Sequence, residues 1–117
     1  MPQALKVAAL VFLGGALGSG LRFLIGFELE VAPTLFVVNA LGTLLLGFVN
    51  GKNWAGWVHP CFGTGVAGGF TTLSGVSLFM NANLAAAPVS TALAVTLMLA
   101  IGFASHWLGM KFARLAR

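Results

Sequence analysis

Residues 63–77 read Gly-Thr-Gly-Val-Ala-Gly-Gly-Phe-Thr-Thr-Leu-Ser-Gly-Val-Ser, and they lie inside an apolar run from Pro60 to Met80. At about 1.5 Å per residue, a helix of that length crosses a bilayer. The composition argues against a continuous one. Gly63, Gly65, Gly68, Gly69 and Gly75 each cost backbone entropy, and Thr71, Thr72, Ser74 and Ser77 can bond the backbone in place of the helical ladder. The run from Gly68 to Thr72 falls near the middle of the span, where an unpaired carbonyl in lipid is costly. Irregular backbone at that depth persists only where protein, ions or trapped water satisfy it. The expectation is a helix broken at the membrane midplane, with its freed carbonyls put to use.

Outside this stretch the composition is that of a membrane protein. Of 117 residues, 59% are hydrophobic and 7% charged, with a mean hydropathy of +1.01, beyond what a soluble domain tolerates. Apolar runs at residues 5–25, 34–49, 60–80 and 89–108 predict an all-α fold of four transmembrane helices in a single domain spanning 1–117. Cys61 is the only cysteine, so an internal disulfide is impossible and a small buried apolar role is expected. The start resembles a secretory signal, but its apolar stretch reaches Leu21 and three further spans follow, so retention is expected.

The net charge is +4, and position rules out nucleic acid as its partner. Lys6, Lys52, Lys111, Arg114 and Arg117 lie at the ends of apolar runs, as topology determinants and headgroup contacts do. With four spans, both termini and the middle loop share one side, and that side holds all five, against Arg22 near the other. The positive-inside rule then predicts cytoplasmic termini and one fixed orientation.

In the first span, Gly14 and Gly18 share a face with Gly15 beside them, a spacing that permits close helix approach. Arg22 has two open readings. It can snorkel or pair with Glu28 or Glu30, or it can form an electropositive vestibule that gathers anions. Glu28, Glu30 and Pro33 read as a short turn, with Pro33 placed to open the second helix. Within that helix Asn39 and Thr43 share a face; Asn39 either cements a helix contact or serves as a neutral donor to an anion. Trp54 and Trp57 read as interfacial anchors, and His59 and His106 as boundary residues. Residues 81–87 read as an uncharged turn closed by Pro88, with Gly102 and Ser105 as small contacts in the last span.

No Asp or Glu lies in any predicted span, so proton-coupled cation transport lacks its central part. No nucleophile, base and orienter converge, and no metal ligands cluster, so an enzyme is not expected. The intramembrane inventory is neutral donors and one arginine, which suits an anion.

Gly14-Gly15-Ala16-Leu17-Gly18 with Arg22, Val38-Asn39 with Gly42 and Gly47-Phe48, and Gly68-Gly69-Phe70-Thr71-Thr72-Leu73-Ser74 together resemble the CrcB family of small fluoride channels, also called Fluc. The resemblance covers essentially the whole chain. It implies a passive fluoride channel of the bacterial cell membrane, built as an antiparallel dimer whose two helix breaks meet on the axis. It further implies a structural, untransported sodium ion held by backbone carbonyls, here those of Gly68 and Thr71. Asn39 matches the pore-lining asparagine and Arg22 the vestibule arginine, and Thr72, Leu73, Ser74 and Val76 fall on the pore-lining stretch.

The departures are at specific residues. Leu73 and Val76 stand where the family usually has two phenylalanines, Gly75 replaces the intervening Thr, Phe79 stands in place of a common acid, and Leu35 replaces a Thr, with Thr34 displaced by one. An aliphatic side chain lacks the positively polarised ring edge that an aromatic presents. Missing phenylalanines and fixed orientation together suggest one half of a heterodimer with a paralogous, oppositely oriented chain. A non-conducting structural subunit and an unrelated small transporter are the competing expectations.

Overall fold

The computed structural model describes residues 1–116, so the part of the charge reading that falls on Arg117 lies outside the described residues. The fold is all-helical, with no strand among the described residues. Helix α1 spans Gln3–Glu28 and α2 spans Val31–Asn50. The segment α3 is π-helical over His59–Ala67 and ends in one α-helical turn, Gly68–Phe70. Helix α4 spans Leu73–Asn83 and α5 spans Pro88–Leu115. Three helices, α1, α2 and α5, are long and apolar enough to cross a membrane.

Several boundaries differ from the sequence expectation. Glu28 is the last residue of α1, and α2 begins at Val31, so Pro33 sits inside the first turn. It is tolerated there because the first amides of a helix have no intrahelical acceptor to lose. Asn81 and Asn83 belong to α4, and Asn83 Nδ2 donates back to the Phe79 carbonyl at 2.8 Å. Helix α5 runs on to Leu115, well past the expected 108, because no Gly or Pro that would stop a helix follows Gly109.

The helices associate as two pairs, α1 with α3 and α2 with α5. Glycine makes both contacts possible. No described glycine has positive φ, so these residues are used for absent side-chain volume and not for turn conformations. A Cβ on Gly14 would run into the Cys61 carbonyl, and one on Gly18 into the Val66 carbonyl. In the second pair, a Cβ on Gly47 would meet the His106 carbonyl, and one on Gly109 the Leu44 carbonyl. Gly102, expected as a small contact, has nothing within 4 Å of its would-be Cβ; the α2–α5 crossing lies further along the helix.

A small buried cluster of Leu35, Val76 and Met98, flanked by Phe36, Phe79 and Val95, joins α2, α4 and α5. Most large apolar side chains face outward instead, among them Phe12, Phe23, Leu93 and Phe103. That inversion suits a lipid or subunit environment. At the polar end, Lys52 Nζ donates to the Ala116 carbonyl at 2.8 Å, which sets the middle loop beside the end of α5. Trp54 folds back onto α2, its Nε1 donating to the Phe48 carbonyl at 3.3 Å and the Lys52 ammonium lying 4.6 Å from its ring centroid.

The α1–α3 contact gives a direct test. Gly18→Ala is expected to destabilise the protein by about 1–3 kcal/mol, the usual cost of overpacking against unyielding backbone. Gly20→Ala, two residues away with open space around it, is expected to be neutral or stabilising by up to about 1 kcal/mol. Thermal midpoints of the two detergent-solubilised variants check the contrast, and equal midpoints would refute the close packing.

Candidate functional site

Between α3 and α4 the helical backbone stops at Phe70 and resumes at Leu73. Thr71 (φ −79°, ψ 157°) and Thr72 (φ −149°, ψ 116°) are extended. Local chemistry favours this. The Thr71 Oγ1 donates to the Ala67 carbonyl at 2.9 Å, the same oxygen that its own amide reaches at 3.0 Å. Thr72 is the N-cap of α4, its Oγ1 accepting from the Gly75 amide at 3.0 Å and lying 3.2 Å from Ser74 Oγ. Two β-branched hydroxyl residues after two glycines thus close one helix and open the next.

Side chains from two other helices take up the groups that the interruption frees. From α1, Ser19 Oγ donates to the Gly69 carbonyl at 3.3 Å and the Arg22 guanidinium to the Thr71 carbonyl at 3.2 Å. From α2, Asn39 makes two bonds to a single residue. Its Oδ1 accepts from the Thr72 amide at 2.8 Å, and its Nδ2 donates to the Thr72 carbonyl at 3.3 Å. The orientation of the amide is fixed by this pair, since reversing it would set donor against donor. With the Thr72 amide turned to Asn39, the Gly68 carbonyl loses the partner that a continuous α-helix would give it.

Against the interruption lies a cavity of about 460 Å³ between α2, α4 and α5. Its polar lining is Asn39, Thr43, Thr71, Thr72 and His106; its apolar lining includes Leu73, Val76, Met98 and Phe103. The Thr43 hydroxyl donates back along its own helix, to the Asn39 carbonyl at 2.7 Å and the Ala40 carbonyl at 3.2 Å, so only its lone pairs are available to the cavity. No group of three or more His, Cys, Asp or Glu that could hold a metal occurs among the described residues.

Of the residues singled out in sequence, Asn39, Thr72, Leu73 and Val76 come together on this cavity. Ser74 does not: it is exposed, outside the lining, and bonded to Thr72. Gly68 is exposed and also off the cavity, while Thr71 lines it. Val76 is 8% exposed and part of the buried cluster, whereas Leu73 is 74% exposed. Arg22 donates to neither Glu28 nor Glu30; it reaches across to the Thr71 carbonyl in the interruption. His106, read in sequence as a boundary residue, also lines the cavity, from within α5. Ser19 was not singled out, although its spacing of three from Arg22, on the glycine-bearing face of α1, was a legible signal.

Comparison with known proteins follows this geometry. The family described as "CrcB-like protein, Camphor Resistance (CrcB)" matches residues 9–110. A protein of Gloeothece citriformis named fluoride-specific ion channel FluC is 36% identical over 116 residues, covering 90% of this chain and 94% of that one. A protein of Rhodococcus jostii named fluoride-specific ion channel FluC 2 is 34% identical over 110 residues, covering 87% and 94%. The same organism has a FluC 1, 41% identical over 70 residues, covering 59% of this chain and 56% of that one.

Proposed function

The chain belongs to the CrcB-like family, and on that premise we propose that it is a subunit of a fluoride-specific ion channel in which the ion passes along the cavity beside Thr71 and Thr72. This is a channel and not an enzyme: it lets fluoride leave the cytoplasm passively and so lowers its concentration there. The observation that carries the reading is the cavity itself, mostly apolar, with Asn39, Thr43, Thr71, Thr72 and His106 as its polar lining and no carboxylate. Such a lining sets no carboxylate charge against an anion and no lysine or arginine to trap it.

In finer detail, α3 and α4 form one transmembrane span broken at the membrane midplane, giving a single four-helix domain. The subunit pairs with an antiparallel, paralogous chain, the two breaks facing each other across the axis. Support comes from the outward-facing Leu73 and Phe103 beside the cavity and from the co-occurrence of FluC 1 and FluC 2 in Rhodococcus jostii. The protein is a multi-pass membrane protein of the bacterial cell membrane, and the bias of Lys6, Lys52, Lys111 and Arg114 to one side places both termini in the cytoplasm. Asn39, Thr72, Leu73 and Val76 line the path, with Ser74 adjacent and Arg22 behind Thr71.

A structural sodium ion fits the residues present. The Gly68 carbonyl is without its helical partner, and the Thr71 carbonyl accepts one bond from Arg22 and keeps a second lone pair. Neutral hard oxygens of this kind suit a small cation. Such an ion would supply fixed positive charge at the subunit axis.

Reconstituted with a paralogous chain in fluoride-loaded liposomes, the protein is expected to release fluoride rapidly and chloride at the protein-free rate. Ion-selective electrodes on matched samples check this. Chloride release at a comparable rate would overturn the reading.

A further inference from the structure

Every polar residue lining the cavity could in principle contact the ion, but Asn39 stands apart in how its amide is used. Its carbonyl oxygen and one amide hydrogen are both engaged with Thr72, whose own amide, as that of a helix N-cap, has no acceptor in a helical ladder. Two antiparallel bonds from one side chain to the amide and carbonyl of one residue imitate a strand pairing, and they hold Thr72 extended. From there Thr72 caps α4, so the clamp also sets where α4 begins and where Leu73 and Val76 stand against α5.

We propose that Asn39 is a positioning residue of the channel, acting through its two-bond clamp on Thr72 and not by donating to the passing ion. The clamp, with Ser19 and Arg22 bracing the Gly69 and Thr71 carbonyls from the opposite side, makes the interruption a feature that one subunit builds with its own side chains. The proposal rests on the channel reading for its transport readout alone; the clamp is a property of the folded chain.

Asn39→Asp separates the two roles. A protonated carboxyl accepts from the Thr72 amide and donates its one hydrogen to the Thr72 carbonyl, restoring both bonds but leaving no hydrogen for an ion. An ionised carboxylate accepts only, and sets an oxygen against the Thr72 carbonyl. Asn39→Ala removes both bonds at any pH. The measurements are hydrogen exchange at the Thr72 amide and fluoride efflux from liposomes, each taken for the variant and the wild type in the paired channel at about pH 6 and about pH 9, since burial favours the protonated acid. Arg22 on α1 and His106 on α5 are the other titratable groups around this region; they are common to all three proteins, and the comparison at each pH removes their contribution.

For Asn39→Ala, Thr72 exchange is expected to quicken by about ten-fold or more and efflux to fall by a similar factor at both pH values. For Asn39→Asp, both are expected to match the alanine variant in alkali and to return toward wild type in acid. Recovery of Thr72 protection without recovery of flux would overturn the proposal in favour of direct contact with the ion. Rapid exchange of Thr72 in the wild type, which needs no variant to fold, would also overturn it. Absence of fluoride efflux from the wild type would refute the channel reading, while the exchange data would still decide the clamp.

Discussion

Gly47→Val and Gly109→Val are each expected to abolish the folded, monodisperse protein, or to destabilise it by about 3 kcal/mol or more, at the upper end of overpacking costs. At Gly47 the obstructing atom is the His106 carbonyl oxygen, and at Gly109 it is the Leu44 carbonyl, with the Phe48 amide 2.7 Å from the would-be Cβ. Neither is the flexible end of a side chain. Relief requires α2 and α5 to move apart, which would widen the cavity that both helices line and draw Asn39 away from Thr72. Because the two glycines meet at one crossing, the double variant is expected to cost much less than the sum of the singles. Gly102→Ala, with open space around it, is expected to stay within about 0.5 kcal/mol of wild type. Fluorescence-detected size-exclusion chromatography after a heating series checks all four proteins. A monodisperse Gly47→Val with an unshifted midpoint would refute the packing.

The chain expressed and reconstituted alone is expected to give fluoride efflux at least about ten-fold below that of the chain with a paralogous partner, since Lys and Arg set the orientation in which a membrane protein inserts. Lys6, Lys52, Lys111 and Arg114 lie on the side of the termini and the middle loop, with Arg22 toward the other. Lys52 also donates to the Ala116 carbonyl, which sets the middle loop beside the end of α5. Insertion the other way up must carry this whole group, so an antiparallel pair of identical chains starves for one of its halves. The aliphatic Leu73 and Val76 act in the same direction, since neither has a polarised ring edge to offer an anion. Efflux at the paired rate from the lone chain would refute the heterodimer.

The interruption illustrates how far local reading reaches. Gly68, Gly69, Thr71 and Thr72 disfavour a helix through properties of their own backbone and hydroxyls, and the extended pair stands where those residues predict it. What satisfies the freed carbonyls was not local. The residues themselves left protein, ions or water as partners, and the tertiary structure supplies Ser19, Arg22 and Asn39, which are 50, 49 and 33 positions from the groups they bind. His106 shows the same limit. Near the end of an apolar run it reads as a boundary residue, and only the packing of α5 on α2, where its backbone meets Gly47, shows that it also lines the cavity.

Composition and local residue chemistry were enough to determine a multi-pass helical membrane protein and the residues at which its helical backbone is interrupted, because each depends on residues near one another in the chain or on the solvent each prefers. Which side chains close over that place depends on how α1 and α2 approach it across the fold. A polar group buried near lipid takes whatever partner the packing brings within 3 Å or so, and packing is a property of helix pairs that no single helix encodes.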